Sequence, residues 1–325
     1  MPSLVRPRKA PRFPPPPLPD DPASLAREAL ASARRHGFAA AGIIRADRPK
    51  TAEIYRRWLA SGYHGEMGWL ERDAEPRESF DSILPYTRSI LAVARAVPGH
   101  GSGNVARYAR GEDYHRVVRR ALHAVAQDLA PLAPAGSHFR ACVDTAPLLE
   151  REVAARAGLG FIGKNGLLIV PGLGSHVVLG ELLTDVVLAP TAPPIDAAAD
   201  RCGACTACLE GCPTSAFVAP RVVDSRRCLS YLTIEKRGAF SEEEAASLDG
   251  RLFGCDVCQD VCPFNQAVEL SGAADGGANL VPEEIAALDD AGFASRFGHS
   301  AISRATAEGL RRNARAALAL PGAAR

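Results

Sequence analysis

Cys202-Gly-Ala-Cys205-Thr-Ala-Cys208-Leu-Glu-Gly-Cys212-Pro213 and, further on, Cys255-Asp-Val-Cys258-Gln-Asp-Val-Cys262-Pro263 decide how this chain is read, because they gather its thiols into two short loops. Of nine cysteines in 325 residues, all but Cys142 lie between Cys202 and Cys262. Disulfide staples are not needed, since a chain of ~300 residues buries about 75% of the surface its unfolded form exposes. The N-terminal MPSLVRPRKAPRFPPPPLPDD is basic and then runs into proline, without the apolar segment of a secretory signal. No stretch reaches the ~18–20 uninterrupted apolar residues of a transmembrane helix. The chain is therefore expected in the cytoplasm and away from membranes, where thiols stay reduced. Its clustered cysteines need another purpose, whereas the lone Cys142 is expected to be a buried, inert thiol.

The first run has the Cys-x2-Cys-x2-Cys-x3-Cys-Pro spacing of bacterial [4Fe–4S] ferredoxins. Such a loop holds three irons of a cube, and Cys212 is carried away on the following helix, so the fourth ligand comes from elsewhere. In two-cluster ferredoxins that fourth cysteine ligates the other cluster. The second run lacks one member, which Cys228 supplies. Crossing the fourth ligands gives one cube on Cys202, Cys205, Cys208 and Cys262 and another on Cys212, Cys228, Cys255 and Cys258. Structural zinc is the competing use of paired cysteines, although this triple spacing with its trailing proline is unusual for zinc. Two adjacent cubes imply electron transfer towards the rest of the chain.

Working outward, the length prior of ~150 residues per domain predicts two domains. Lys+Arg of 38 against Asp+Glu of 37 leaves no global field for a polyanion, so any charged patch is local. Residues 1–20 read as a solvated, proline-rich disordered tail. Asp21-Pro22 opens a helix that Gly37 ends. Phe38 to Ile44 and Ser89 to Val97 read as buried strands, followed by FRACVD (139–144), LLIVP (167–171) and a long apolar run from His176 to Leu188. DYHRVVRRALHAVAQDLAPLA (113–133) predicts a helix with Val117, Leu122, Val125 and Leu129 on its apolar stripe, and LLEREVAARAG (148–158) predicts another. TAPPID (191–196) reads as a linker. Beyond it the segment to about residue 265 has little aliphatic content and suits a metal-organised fold. SGAADGGAN (271–279) reads as flexible, and short helices follow.

Three motifs invite other readings. Gly158-Leu-Gly160-Phe-Ile-Gly163 has a dinucleotide-binding spacing but follows a helix rather than a strand. Asp113-Tyr-His115 begins like a cobalamin-ligating motif, yet Val118 stands where that motif needs glycine, and Asp113 serves equally well as a helix cap. Arg119/Arg120, Lys236/Arg237 and Arg311/Arg312 are basic pairs whose default role is a solvated surface.

FRACVDTAPLLEREVAARAGLGFIGKNGLLI (139–169), RRCLSYLTIEKRG (226–238) and FGCDVCQDVCPFN (253–265), with GYHGEMGWLERDAEPR (62–77) and ARYARGEDYH (106–115), resemble the epoxyqueuosine reductases. The resemblance implies an α+β protein. A nitroreductase-like, cobalamin- and substrate-binding catalytic α/β domain (21–195) precedes a two-[4Fe–4S] ferredoxin-like domain (196–268), and 269–325 is a flexible segment and short helical tail like the start of a HEAT-like extension. It implies reduction of epoxyqueuosine to queuosine at the wobble position of tRNA by cobalamin and two [4Fe–4S] clusters, in a monomer fed by a low-potential electron donor. By the same resemblance Asp144 is the catalytic acid, its acidity weakened by burial beside the corrin face, and Arg151 orients substrate. Asp113 and His115 lie near the substrate pocket. Arg77, Asp144, Ser230, Cys255 and Asp256 contact cobalamin, and Arg237, Arg119 and Arg120 contact tRNA. Without the resemblance, Asp144 would equally suit a cap of the helix that follows. The rivals are a cobalamin-dependent reductive dehalogenase, which would accept an organohalide, and a two-cluster electron carrier, which would not need the long segment before the cysteines.

Overall fold

A computed structural model describes residues 13–97, 103–191, 201–266 and 279–320. Helix α1 (Pro22–Arg35) starts as expected, with the Asp21 carboxylate accepting from the amides of Ala23 and Ser24 at 3.0 and 2.8 Å. Gly37, at φ +84°, turns the chain out of the helix. Strand β1 (Ala40–Arg45) follows, then short helices α2 (Ala52–Ala60) and α3 (Trp69–Arg72). Strands β2 (Ser89–Ala96), β3 (Phe139–Cys142) and β6 (Val177–Thr184) complete a four-stranded sheet of order β1-β2-β6-β3, antiparallel throughout. A separate pair, β4 (Phe161–Ile162) with β5 (Leu168–Ile169), takes up the predicted LLIVP strand. Gly160 is needed there, because a Cβ would come within 2.1 Å of the Ile169 carbonyl oxygen. That packing demand accounts for the apparent dinucleotide fingerprint.

The apolar runs of β2 and β6 are continuous because both faces of the sheet are covered. Leu91, Val93 and Leu182 face α1 and α4 (Tyr114–Leu129), whereas Ile90, Ala92, Ala94 and Leu183 face α5 (Glu150–Arg156). On α4 the fully buried stripe is Val118, Leu122, Val125 and Leu129. Val118 replaces the expected Val117 because i, i+4, i+7, i+11 follows the 3.6-residue period more closely. Cys142 is buried at 3% exposure, as expected.

The cysteine region holds helices α6 (Ala207–Glu210), α7 (Leu229–Ile234), α8 (Glu242–Ser247), α9 (Val257–Asp260) and α10 (Pro263–Gln266), with hairpin β7 (Phe217–Ala219) and β8 (Val222–Val223). Helices α6 and α9 carry Cys208 and Cys258. Leu229, Tyr231, Leu232 and Leu248 form an apolar core beside Cys228 and Cys255, so the part between the cysteine runs is not organised by metal chemistry alone.

The C-terminal helices α11 (Pro282–Ala287), α12 (Asp290–Phe297) and α13 (Thr306–Leu318) are not a loose tail either. Ile285, Phe297, Leu310, Ala314 and Ala317 share a core with Ile234, Leu252, Phe253 and Val105. The fully buried Asn313 amide donates to the carbonyls of Thr233 and Leu252, both at 2.8 Å. Nor is the proline-rich segment free throughout. Phe13 stacks on His138 at 3.7 Å and the Pro16 carbonyl accepts from Arg88 at 3.0 Å. The expected disorder up to position 12, most of the TAPPID linker and nearly all of SGAADGGAN lie outside the described residues.

Candidate active site and cluster-binding loops

Helix α4 begins at the site. The Asp113 carboxylate caps it, accepting the His115 amide at 3.0 Å, and the same oxygen meets His115 Nδ1 at 2.7 Å. On the other side of the ring, His115 Nε2 lies 3.2 Å from Asp144 Oδ2. One Asp113 oxygen thus both caps the helix and fixes the His115 ring. Burial works against charge on His115, but hydrogen bonds to Asp144 and Asp113 outweigh it and raise the imidazole above its ordinary value. Only the imidazolium offers an N–H to both carboxylates at once. The ring stacks on Tyr114 at 4.0 Å, and Tyr114 meets Tyr108 edge-on at 5.7 Å. Burial, reinforced by the Asp144 charge, pushes both phenols upward, so both remain protonated donors.

Asp144 occupies a turn between β3 and α5, at φ +53°. It does not cap α5, which begins only at Glu150; its own amide instead donates to Glu150 Oε1 at 2.6 Å. The Asp144 side chain is 57% exposed on its left-handed turn. Arg151 is also exposed, its guanidinium donating to the Gly166 carbonyl. Arg77 is buried beneath the turn, donating to the carbonyls of Leu148 and Ala146 at 3.0 and 3.4 Å, while its Nε has no hydrogen-bond partner.

The cysteine region reaches this site through the turn that carries Tyr108. The Asp256 carboxylate accepts the Arg107 amide at 2.7 Å and the Gln259 side-chain amide at 3.0 Å, and the Arg107 guanidinium meets Asp260 at 2.7 Å. The Tyr108 phenol thereby feels the carboxylates of Asp144, Asp256 and Glu235 together. Segment 58–67 braces the other side, with Trp58 Nε1 donating to the Val223 carbonyl and the Glu66 amide to the Tyr231 hydroxyl. Ser230 is half-buried on α7, its amide directed at Cys228.

The thiols fall into two neighbourhoods. Cys208 is raised by burial and then by the charges of Cys202, Cys262 and Cys205, and Cys262 by burial and then by Cys202 and Cys205. Cys228 senses Cys212, Cys255 senses Cys228, and Cys258 senses Cys228 and Cys255 and, more weakly, Cys208 across the divide. Amides point at several sulfurs: Ala216 at Cys212 (3.3 Å), Val257 at Cys255, and Phe264 and Asn265 at Cys262. Such donors favour the thiolate, the form that binds iron. Among the described residues no three His, Cys, Asp or Glu side chains converge as the ligands of one metal ion would.

Arg119 and Arg120 are exposed on α4, with Arg120 paired to Glu112 at 3.3 Å. Arg237 is exposed but tethered, donating to the carbonyls of Ile234 and Arg304 at 2.8 and 3.3 Å. Sequence reading passed over Tyr108, Tyr114, Glu150 and Glu181. The last carried a readable signal, an acid inside the apolar run from His176 to Leu188.

The family described as Epoxyqueuosine reductase QueG, DUF1730 matches residues 77–145, and the 4Fe-4S double cluster binding domain matches residues 201–265. An epoxyqueuosine reductase of Gloeobacter violaceus is 41% identical over 319 residues, covering 92% of this chain and 98% of the relative. One of Pseudomonas aeruginosa is 40% identical, covering 79% and 73%. Among solved structures, an epoxyqueuosine reductase holding an epoxyqueuosine-modified tRNA-Tyr stem loop superposes with a TM-score of 0.81 at 31% identity, covering 92% of this chain and 82% of that one. The Bacillus subtilis enzyme, with its catalytic aspartate loop swung out of the active site, gives 0.80 at 30% identity over the same shares.

Proposed function

The chain belongs to the epoxyqueuosine reductase family, and from that premise we propose that it reduces epoxyqueuosine to queuosine at the wobble position of tRNA, with electrons relayed through two [4Fe–4S] clusters to a cobalamin. The observation that carries the mechanism is the Asp113–His115–Asp144 chain, at 2.7 and 3.2 Å. Removing the epoxide oxygen to leave an alkene takes two electrons and two protons and releases water. When bound, the cobalamin supplies the low-potential electron chemistry at carbon. The proton starts on the His115 imidazolium, its ring fixed by Asp113, and passes from Nε2 through Asp144 Oδ2 to the departing oxygen. Tyr108 and Tyr114 close the wall behind them, and Arg151 orients the substrate through its planar fork.

Two cubes on Cys202, Cys205, Cys208 and Cys262 and on Cys212, Cys228, Cys255 and Cys258 fit the two neighbourhoods of thiols and their amide donors. Arg77 fits the corrin, because its buried Nε is a donor left for a polar ligand. Ser230 and Cys255 both neighbour Cys228. Asp256, committed to Arg107 and Gln259, serves by holding the Tyr108 turn. Exposed Arg119, Arg120 and Arg237 are the basic groups offered to the RNA backbone. No described helix is long and apolar enough to cross a membrane, and a tRNA substrate fits a cytoplasmic monomer fed by a low-potential carrier.

The test is anaerobic incubation of protein reconstituted with iron, sulfide and cobalamin, a strong reductant, and tRNA from cells that accumulate epoxyqueuosine, with nucleoside mass spectrometry. Queuosine is expected, and is absent without cobalamin and with Asp144→Asn. No conversion by protein verified to hold both clusters and cobalamin would overturn the assignment.

A further inference from the structure

Cys212 receives more than an amide. Its Sγ lies 3.3 Å from the Ala216 nitrogen, which donates to it, and 3.7 Å from the Thr214 hydroxyl oxygen. Between a thiol and a hydroxyl either group could donate. A sulfur bound to iron has lost its proton and only accepts, so the Thr214 O–H is then the donor. The turn that aims both groups is held in place. Ser215 sits at φ +46°, where a non-glycine residue persists only if its surroundings hold it. The Ser215 amide donates to the Cys212 carbonyl at 3.1 Å, and the carbonyl of buried Ala216 accepts the Asp224 amide at 2.8 Å. Asp224 in turn caps the 3-10 helix (Ser225–Arg227) that leads into Cys228. Thr214 is thereby joined to the segment carrying two ligands of one cube.

That cube is completed by Cys255 and Cys258, which flank Asp256, the acceptor of the Arg107 amide in the Tyr108 turn. It is the inner cube, whereas the other set includes the exposed Cys205 and forms the outer one. Amides reach sulfurs of both sets, so they do not separate the two cubes. The Thr214 hydroxyl is an addition to the inner set. Reduction places a further negative charge on a cube and its sulfurs, and a donor aimed at sulfur stabilises that charge.

We propose that Thr214 sets the potential of the inner cube, its hydroxyl donating to the Cys212 thiolate and making this cube easier to reduce. One electron then passes from the outer cube, which is oxidised, to the inner cube, which is reduced, and no proton moves with it. The electron comes to the outer cube from the low-potential carrier. The proposal rests on the crossed ligand sets given above.

The experiment is a redox titration of the full chain loaded with both clusters, followed by electron paramagnetic resonance, on the unmodified protein, Thr214→Val and Thr214→Ser. Valine matches threonine in shape and lacks the donor, and serine keeps it. In Thr214→Val the reduced-to-oxidised ratio of the inner cube at a fixed potential is expected to fall roughly fivefold, the net worth of one hydrogen bond. At ~59 mV per tenfold for a one-electron couple, its midpoint falls by about 40 mV. Thr214→Ser is expected to restore that midpoint, and the outer cube to stay unmoved in all three. Cys228→Ala, which leaves the outer cube, and Cys205→Ala, which leaves the inner, identify the two steps, and either suffices if the other fails to fold. An unshifted inner midpoint in Thr214→Val, a shift confined to the outer cube, or a Thr214→Ser midpoint equal to that of Thr214→Val would overturn the proposal. Loss of both cubes from folded Cys228→Ala would instead fault the ligand sets, and the two midpoints of Thr214→Val would still decide the part of the hydroxyl. No substrate is present, so failure of the assigned reaction would leave this result standing.

Discussion

Replacing Asp113 with Asn or Ala separates the two roles that one oxygen performs. Asn keeps an acceptor for the His115 amide but removes the charge beside Nδ1; Ala removes both. Asp113 and His115 are 19% and 24% exposed, so their contact is partly shielded from water. A hydrogen bond to a charged group is worth about 1.5–3 kcal/mol, which corresponds to roughly ten- to hundredfold in the population of imidazolium. Asp113→Asn is therefore expected to lower turnover at pH 8 about ten- to hundredfold and to move the alkaline limb of the profile towards acid. Asp113→Ala adds the loss of a cap, about 1 kcal/mol. The sign for stability follows from the raised folded value of His115. Its contribution is fully present below the ordinary histidine value of ~6.5 and disappears as pH rises through the folded value. The gap between the unmodified protein and Asp113→Asn in chemical denaturation is thus widest in acid and closes in alkali. Deoxygenation rates across pH on cluster-loaded protein, with matched denaturation curves, provide the assay. Unchanged rates and a pH-independent stability gap in Asp113→Asn would refute the argument.

Asn313→Ala removes two buried 2.8 Å hydrogen bonds and is expected to cost about 2–4 kcal/mol, leaving two carbonyls unsatisfied; urea denaturation reads it, and a loss under 0.5 kcal/mol contradicts the role given to α13. Cys228→Ala is expected to lower iron to about half, keeping the spectroscopic signature of the cube on Cys202, Cys205, Cys208 and Cys262; loss of nearly all iron from folded protein contradicts the crossed ligand sets. Glu150 and Glu181 have raised folded values, so the folded state binds more protons than the unfolded one, and stability falls as pH rises from ~4.3, the ordinary glutamate value, through about 7. Glu181→Gln should flatten that fall in urea midpoints taken between pH 5 and 8.

Cluster chemistry was legible because its determinants are local: two and three residues between cysteines set which sulfurs a single loop can present. The start of α1 was legible for the same reason, since Asp21, Pro22 and Gly37 act within a turn of their own positions. Asp113 was half legible. Its capping role is a matter of adjacent residues, whereas its bond to His115 and the approach of Asp144 depend on where β3 delivers the following turn. Folding decided the rest, because it joins residues far apart in the chain. The apolar residues between the cysteine runs looked too sparse for a core, yet Leu252 and Phe253 meet Leu310 and Ala314 across a long stretch of sequence. Glu181 stood out as an acid among apolar neighbours, but only the order β1-β2-β6-β3, with α5 laid over it, buries it between Ala92 and Cys142. A carboxyl takes its acidity from the low dielectric and the partners around it, and the folded chain supplies both.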